Sequence, residues 1–305
     1  MRTAFSRTLT QIALNDSKVL LLTGDHGYAL FDEFRQACPD QFINAGIAEQ
    51  NMIGVAAGLA RVGYKPYVYG LSAFVPIRVI EQIKIDLAHD RLPVVLLGDG
   101  AGFVYSHLGT SHQSTEDIAS LRAIPDLQIY SPADRFELEH CFALSTSAQT
   151  TTYIRVGKAD RGDVHTGPVQ ATQGDMLPVR DGGGELLFIA TGSMVRTALD
   201  VAQTVFPQAT VWSVPFIKPL NIRQVVEQAS KARWIVCLEE HSVFGGLGSV
   251  LSEITSEHMP KHVLRIGVED RFSQHCGSYE YLLKEHGLDK QSVAERVQLF
   301  LSQSP

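Results

Sequence analysis

Cysteine is scarce and scattered. The four cysteines, Cys38, Cys141, Cys237 and Cys276, stand far apart in a chain of 305 residues, which excludes the close spacing of zinc ribbons and redox motifs and leaves reduced thiols as the expectation. Positive charge is also short. Lys and Arg number 26 against 33 Asp and Glu, a formal net charge of −7. No Lys/Arg run gathers into the basic stripe that a phosphate backbone or an anionic bilayer attracts, so neither nucleic acid nor membrane is expected as a partner. Long apolar runs are missing as well. None approaches the roughly 20 residues of a membrane span. The opening Met-Arg-Thr-Ala-Phe-Ser-Arg has no apolar core of the kind a secretory leader needs, and a cytoplasmic location is expected.

Hydrophobic residues are plentiful at 45%, and the length allows two ordinary domains with a core each. Apolar runs at 19–22, 65–69, 93–97, 127–130 and 151–156, with a shorter one at 41–44, read as strands of a buried parallel sheet. Helical patterns lie between them: 3–14, 30–37 closed by Pro39, a run from Glu49, one through Glu81, Gln82 and Asp86, and one from 116 with Thr115 as its expected cap. Ser131-Pro132-Ala133-Asp134 opens a further helix. Residues 157–184 change character to Gly, Asp, Pro, Thr and Gln, ending Asp181-Gly182-Gly183-Gly184. Beyond them, strand patterns at 186–190, 210–214, 234–238 and 263–266 alternate with helical ones at 194–205, 222–230, 248–257 and 279–286. The expected fold is α/β, with two parallel-sheet-rich domains at 1–160 and 185–305 joined by a linker at 161–184.

Residues 44–63 read Asn-Ala-Gly-Ile-Ala-Glu-Gln-Asn-Met-Ile-Gly-Val-Ala-Ala-Gly-Leu-Ala-Arg-Val-Gly, in which one carboxylate, Glu49, opens a run dense in Gly and Ala. Each helical Gly costs about 1 kcal/mol relative to Ala, so Gly54 and Gly58 point to close packing against the helix rather than to helix propensity. A carboxylate in the first turn is favoured by the helix dipole whatever else it does. Held among small apolar residues, it can also share a proton with a heterocyclic nitrogen.

Gly-Ile-Ala-Glu-Gln followed by Gly-x-Ala-x-Gly-Leu-Ala resembles the pyrimidine-binding motif of transketolases and deoxyxylulose-phosphate synthases. The resemblance implies thiamine diphosphate as cofactor, with Glu49 bonded to its aminopyrimidine ring. It implies further that Asp25, in the turn Thr23-Gly24-Asp25-His26-Gly27, touches the cofactor and that Phe74 stacks on the pyrimidine. A second Phe common in the family is Leu71 here. Arg78 is open between a helix-face ion pair and a pocket residue. Ser111-His112-Gln113 matches the family's Thr-His-Gln, which makes His112 the group that meets substrate oxygens, with His107 a second candidate. Arg155 matches an arginine that binds the acceptor's phosphate. Arg2 lies where another phosphate arginine stands, and Ala29 replaces a phosphate-contacting Ser.

Other positions depart from the family. Gly98-Asp99-Gly100 looks like the family's metal and diphosphate motif, but the Asn that should follow is missing: residues 124–128 hold none, and the next Asn is Asn221. Mg²⁺ and the diphosphate are therefore expected on a separate pyrophosphate-domain subunit. Gly100 and Leu108 stand where sugar-phosphate transketolases carry a His and an Asp for the substrate. Glu239-Glu240-His241 through Gly248 resembles the signature of the transketolase C-terminal domain, to which a structural role is given. The resemblance as a whole is to the C-terminal subunit of a two-chain transketolase. It implies ketol transfer from a ketose to an aldose, sugar or sugar-phosphate substrates, and an α₂β₂ assembly. A decarboxylating relative and a non-catalytic partner subunit are the alternatives.

Overall fold

The computed structural model describes residues 2–27, 29–157 and 161–303. In the first domain β1 (Val19–Thr23), β2 (Phe42–Asn44), β3 (Lys65–Leu71), β4 (Val95–Asp99), β5 (Gln128–Tyr130) and β6 (Thr152–Val156) pair in parallel. Every residue of β1, β4 and β6 is buried, because helices cover both faces of the sheet. Each fully buried Leu of β1 contributes about 1.5–3 kcal/mol. The covering helices are α1 (Arg2–Asn15), α2 (Asp32–Ala37), α3 (Glu49–Arg61), α4 (Ile80–Gln82), which runs on as a π-helical turn over Ile83–Ala88, α5 (Asp117–Arg122) and α6 (Arg135–Ser145). Asp134 caps α6, accepting from the N–H groups of Phe136 and Glu137 at 3.0 Å each. Thr115 does not cap α5; Glu116 holds that position without a side-chain bond.

The second domain has β7 (Leu177–Arg180), β8 (Leu186–Ala190), β9 (Thr210–Ser213), β10 (Phe216–Lys218), β11 (Trp234–Ser242) and β12 (Val263–Val268). Its helices are α7 (Met194–Thr204), α8 (Ile222–Lys231), α9 (Leu247–His258), α10 (Tyr279–Glu285) and α11 (Lys290–Gln303). Its five-stranded sheet runs β12-β11-β8-β9-β7, parallel except for the edge strand β7. That strand lies inside the stretch the sequence marks as a linker. β10 leaves this domain and pairs antiparallel with β5, so the seven-stranded first sheet runs β10-β5-β6-β4-β3-β1-β2. The expectation of two parallel-sheet-rich α/β domains holds.

The strand order places the site. β1 is flanked by β2 on one side and β3 on the other, so the loops leaving the carboxyl ends of β1 and β3 diverge and open a crevice between them.

Candidate active site

Glu49 is the first residue of α3 and only 6% exposed, in the helix turn where peptide dipoles favour an anion. Its Oε1 meets Nη1 of Arg78 at 3.2 Å. Arg78 also lies over the ring of Phe74, with its guanidinium carbon 4.2 Å from the ring centroid. It is therefore an ion-pair partner and a crevice residue at once. The ring of His112 meets Phe74 edge-on at 5.3 Å, and that of His26 lies 6.3 Å from it. Three loop ends thus converge: the turn after β1, the segment after β3 and the loop after β4. The guanidinium is a flat, nitrogen-rich group that stacks on Phe74 while hydrogen-bonding a buried carboxylate. The crevice accepts that shape and chemistry.

The other expected residues are placed as follows. Asp25 is exposed on the turn beside His26. His107 is exposed on the loop that carries His112, whose own Nδ1 pairs with Ser111 Oγ at 2.9 Å. Arg2 begins α1, and its side chain lies outside the described residues. Arg155 is held by partners inside the chain, not left open to the phosphate expected of it. It is 3% exposed, donates from Nε to Asp117 Oδ2 at 2.8 Å, and donates from Nη2 to the carbonyls of Ser114 at 3.1 Å and Glu240 at 2.8 Å. Tyr153 donates to the same Asp117 oxygen at 2.8 Å.

Tyrosines surround Gly98-Asp99-Gly100. Asp99 Oδ2 accepts from the hydroxyls of Tyr69 at 2.8 Å and Tyr105 at 2.7 Å. A Cβ on Gly98 would lie 2.3 Å from the Tyr153 hydroxyl, and one on Gly100, whose φ is +80°, would lie 2.1 Å from the ring of Tyr105. Both glycines make room for aromatic rings. Among the described residues no group of three or more His, Cys, Asp or Glu converges on a point that could hold a metal.

The charged residues of β11 lie at the joint between the domains. Glu239 accepts from the N–H groups of Leu247 at 2.7 Å and Gly248 at 2.8 Å at the start of α9, and burial still pushes its carboxyl up to about 7. His241 accepts from the Ala119 N–H through Nε2 at 3.2 Å, and its Nδ1 lies 2.8 Å from the Ser242 carbonyl. Burial pushes this histidine down to about 4. Glu240 accepts from the Phe103 N–H at 2.6 Å and from the hydroxyls of Ser193 and Tyr279.

Nothing in the sequence points to Tyr69 and Tyr105 as partners of Asp99, since hydroxyl contacts leave no periodic trace. His26 does carry a signal, because it stands in the same glycine-flanked turn as Asp25.

The architecture defines a class first: tandem α/β domains on mostly parallel sheets, with a polar and aromatic crevice at the switch point of the first. Residues 1–161 match the pyrimidine-binding domain of transketolase and residues 174–293 its C-terminal domain. The chain belongs to the transketolase family. It is 34% identical to a subunit of the apulose-4-phosphate transketolase of Phocaeicola vulgatus, covering 96% of this chain and 95% of that one. It is 32% identical to a 6-deoxy-6-sulfo-D-fructose transketolase subunit of a Clostridium species, covering 96% and 92%. A 1-deoxy-D-xylulose-5-phosphate synthase from Caldanaerobacter subterraneus is 35% identical, but this chain spans only 47% of its length. Among solved structures, a split-gene transketolase described as an inactive β4 tetramer superposes with a TM-score of 0.91 at 31% identity, covering 100% of this chain and 99% of that one.

Proposed function

We propose that this chain is the pyrimidine-side subunit of a two-chain, thiamine diphosphate-dependent transketolase, and that it works with a pyrophosphate-domain subunit carrying the Mg²⁺ and diphosphate ligands. The observation that carries this reading is the pairing of buried Glu49 with the Phe74 face, already holding a flat nitrogen-rich cation. When bound, thiamine diphosphate supplies a nucleophilic thiazolium carbon for breaking and making carbon–carbon bonds next to a carbonyl. Glu49 holds a proton at a ring nitrogen. Phe74 gives the stacking face, a contact of about 1 kcal/mol beyond burial. Asp25 touches the cofactor from the turn after β1. His112 donates to the substrate oxygen, with His107 as a second polar group on the same loop. Arg155, by its burial and its bond to Asp117, serves the domain joint rather than a phosphate.

The names of the relatives support the two-chain arrangement, since two that match over nearly their whole length are called subunits. Self-association, as in an α₂β₂ assembly, has its own support. Gly54 and Gly58 on α3 are exposed with open space beyond them, next to exposed Ile47, Val55 and Val62.

The donor is proposed to be a modified or differently charged sugar. Where sugar-phosphate transketolases carry the substrate's His and Asp, this chain packs Tyr105 against Gly100 and exposes Leu108. Removing groups that hydrogen-bond a substrate redirects specificity by large factors. The relatives named for apulose 4-phosphate and 6-deoxy-6-sulfo-D-fructose fit such a site. The test combines this chain with a pyrophosphate-domain partner and compares xylulose 5-phosphate/ribose 5-phosphate with deoxy, branched, acidic and sulfonated sugars. Poor turnover of the ordinary pair is expected. A kcat/KM of about 10⁴ M⁻¹s⁻¹ or more on that pair contradicts the specificity. Pyruvate consumption with CO₂ release in place of ketol transfer contradicts the reaction and favours the synthase-like reading raised by the 35% identity to a deoxyxylulose-phosphate synthase.

A further inference from the structure

The loop that carries His112 is closed at its base. Gly102 N–H donates to the Ser114 carbonyl at 2.8 Å and Ser114 N–H returns a bond at 2.9 Å. What lies between these bonds has little secondary structure beyond two short 3₁₀ turns, 106–108 and 110–112. Its position is set from the second domain. Phe103 stacks on His286 with ring centroids 4.8 Å apart and planes at 21°. Gln113, next to His112 and 7% exposed, accepts at Oε1 from the Ser273 hydroxyl at 2.8 Å. The same hydroxyl oxygen lies 2.9 Å from Nε2 of His286.

Proton counting fixes the direction of this chain. Ser273 has one hydroxyl proton and gives it to Gln113, so Nε2 of His286 must donate to the serine oxygen. Burial pushes the pKa of His286 down, so the ring is neutral and its single N–H is the one on Nε2. His286 Nδ1 and Gln113 Nε2 have no hydrogen-bond partner among the described residues, and both side chains border a cavity of about 80 Å³ between the loop and the segment after β12. The Ser273 hydroxyl is thus the one described hydrogen bond that holds the Gln113 side chain.

We infer that Ser273 and His286 are positioning residues for the candidate site: they fix the Gln113 amide, and through it hold the ring of His112 against Phe74. The C-terminal domain then sets the geometry of the substrate-facing loop. This inference rests on the reading of His112 given above, but its test does not use cofactor, partner or turnover.

The experiment is histidine-ring NMR and amide hydrogen exchange on the whole chain, in wild type, Ser273→Ala, Ser273→Thr and His286→Phe. The last keeps an aromatic ring against Phe103 and removes the N–H donor, together with an Nδ1 that has no hydrogen-bond partner among the described residues. In Ser273→Ala and His286→Phe, the His112 ring signals are expected to lose the ring-current shift imposed by Phe74. Amides of 102–114 are expected to exchange at least tenfold faster, while those of β11 and α9 stay at wild-type rates. Ser273→Thr is expected to restore both. His112 signals and loop exchange at wild-type values in both folded variants overturn the inference, whatever the activity of the assembled enzyme. Faster exchange spread equally over β11 and α9 overturns it too, because the loss is then one of general stability. If Ser273→Ala does not fold, His286→Phe decides alone.

Discussion

Arg78 occupies the part of the crevice that the proposed cofactor ring requires, touching both Glu49 and Phe74. A half-exposed ion pair contributes up to about 1 kcal/mol and a cation over a ring about 0.5–1 kcal/mol. Any ring that takes this place must displace both contacts. Arg78→Ala is expected to leave the fold intact and to tighten binding of thiamine to the isolated chain by up to about tenfold, read by fluorescence titration. Weaker binding in the variant shows instead that Arg78 itself holds the ligand. Gly100 gives a second residue-level test. Its positive φ costs a non-glycine residue about 1–3 kcal/mol, and its Cβ would run into Tyr105. Gly100→Ala should therefore lower unfolding stability by at least that much in urea. Adding Tyr105→Ala should relieve the steric part and leave the backbone part. At this scale the sequence is informative where a motif is local. Glu49, Phe74 and His112 are singled out by their neighbours along the chain, and the structure groups them around one crevice. It is uninformative where the contact crosses the fold: nothing around Arg155 announces Asp117, and nothing around Gln113 announces Ser273.

Strand β11 carries more than its hydrophobic pattern shows. Its apolar part, 234–238, is legible from the sequence, but it runs on to Ser242 past a register shift and delivers Glu239, Glu240 and His241 into the joint. Two of these titrate in opposite senses. Glu239 keeps its proton in the fold up to about pH 7 and loses it near 4.5 when unfolded, so stability falls as pH rises through that window. His241 stays neutral in the fold down to about pH 4 and is protonated below 6.5 when unfolded, so stability rises with pH there. The two slopes are each of order 1 kcal/mol per pH unit, and they oppose one another where the windows overlap. The contributions of these two residues to unfolding stability should nearly cancel across the overlap. Glu239→Gln should make stability climb more steeply with pH than in wild type, as urea titrations of both at several pH values would show. A slope unchanged from wild type contradicts the assignment. The elements that the sequence does not announce are short or depend on distant partners. β7 and β10 have four and three residues and are defined by pairing with β9 and β5 rather than by a pattern of their own. The helix through Glu81, Gln82 and Asp86 is expected but its π-helical turn is not, and α11, at 14 residues, lies outside the expectations despite its length. Long buried strands announce themselves through continuous apolar runs, which is why both sheets are legible in outline.

At the scale of the molecule, the first domain leaves an apolar face open on α3, which packs against the helical segment carrying exposed Ile80 and Ile85. Gly54 and Gly58 have open space where a side chain would go, so Ala at either should raise the stability of the chain by about 1 kcal/mol through helix propensity. Leu at the same positions should leave folding intact and reduce assembly, measured by sedimentation. An unchanged sedimentation profile would remove this face from the proposed interface. On the proposed function the two-domain chain supplies half of a site, the crevice, and a partner subunit supplies the metal and diphosphate ligands. The most direct measurement is ketol transfer by the reconstituted complex with Mg²⁺ and thiamine diphosphate, for wild type and Glu49→Gln side by side, with cofactor binding followed by calorimetry. The expected result is intact assembly, cofactor affinity within about tenfold of wild type, and turnover lower by a factor of about 10²–10⁴. Turnover at the wild-type rate in Glu49→Gln would contradict the account.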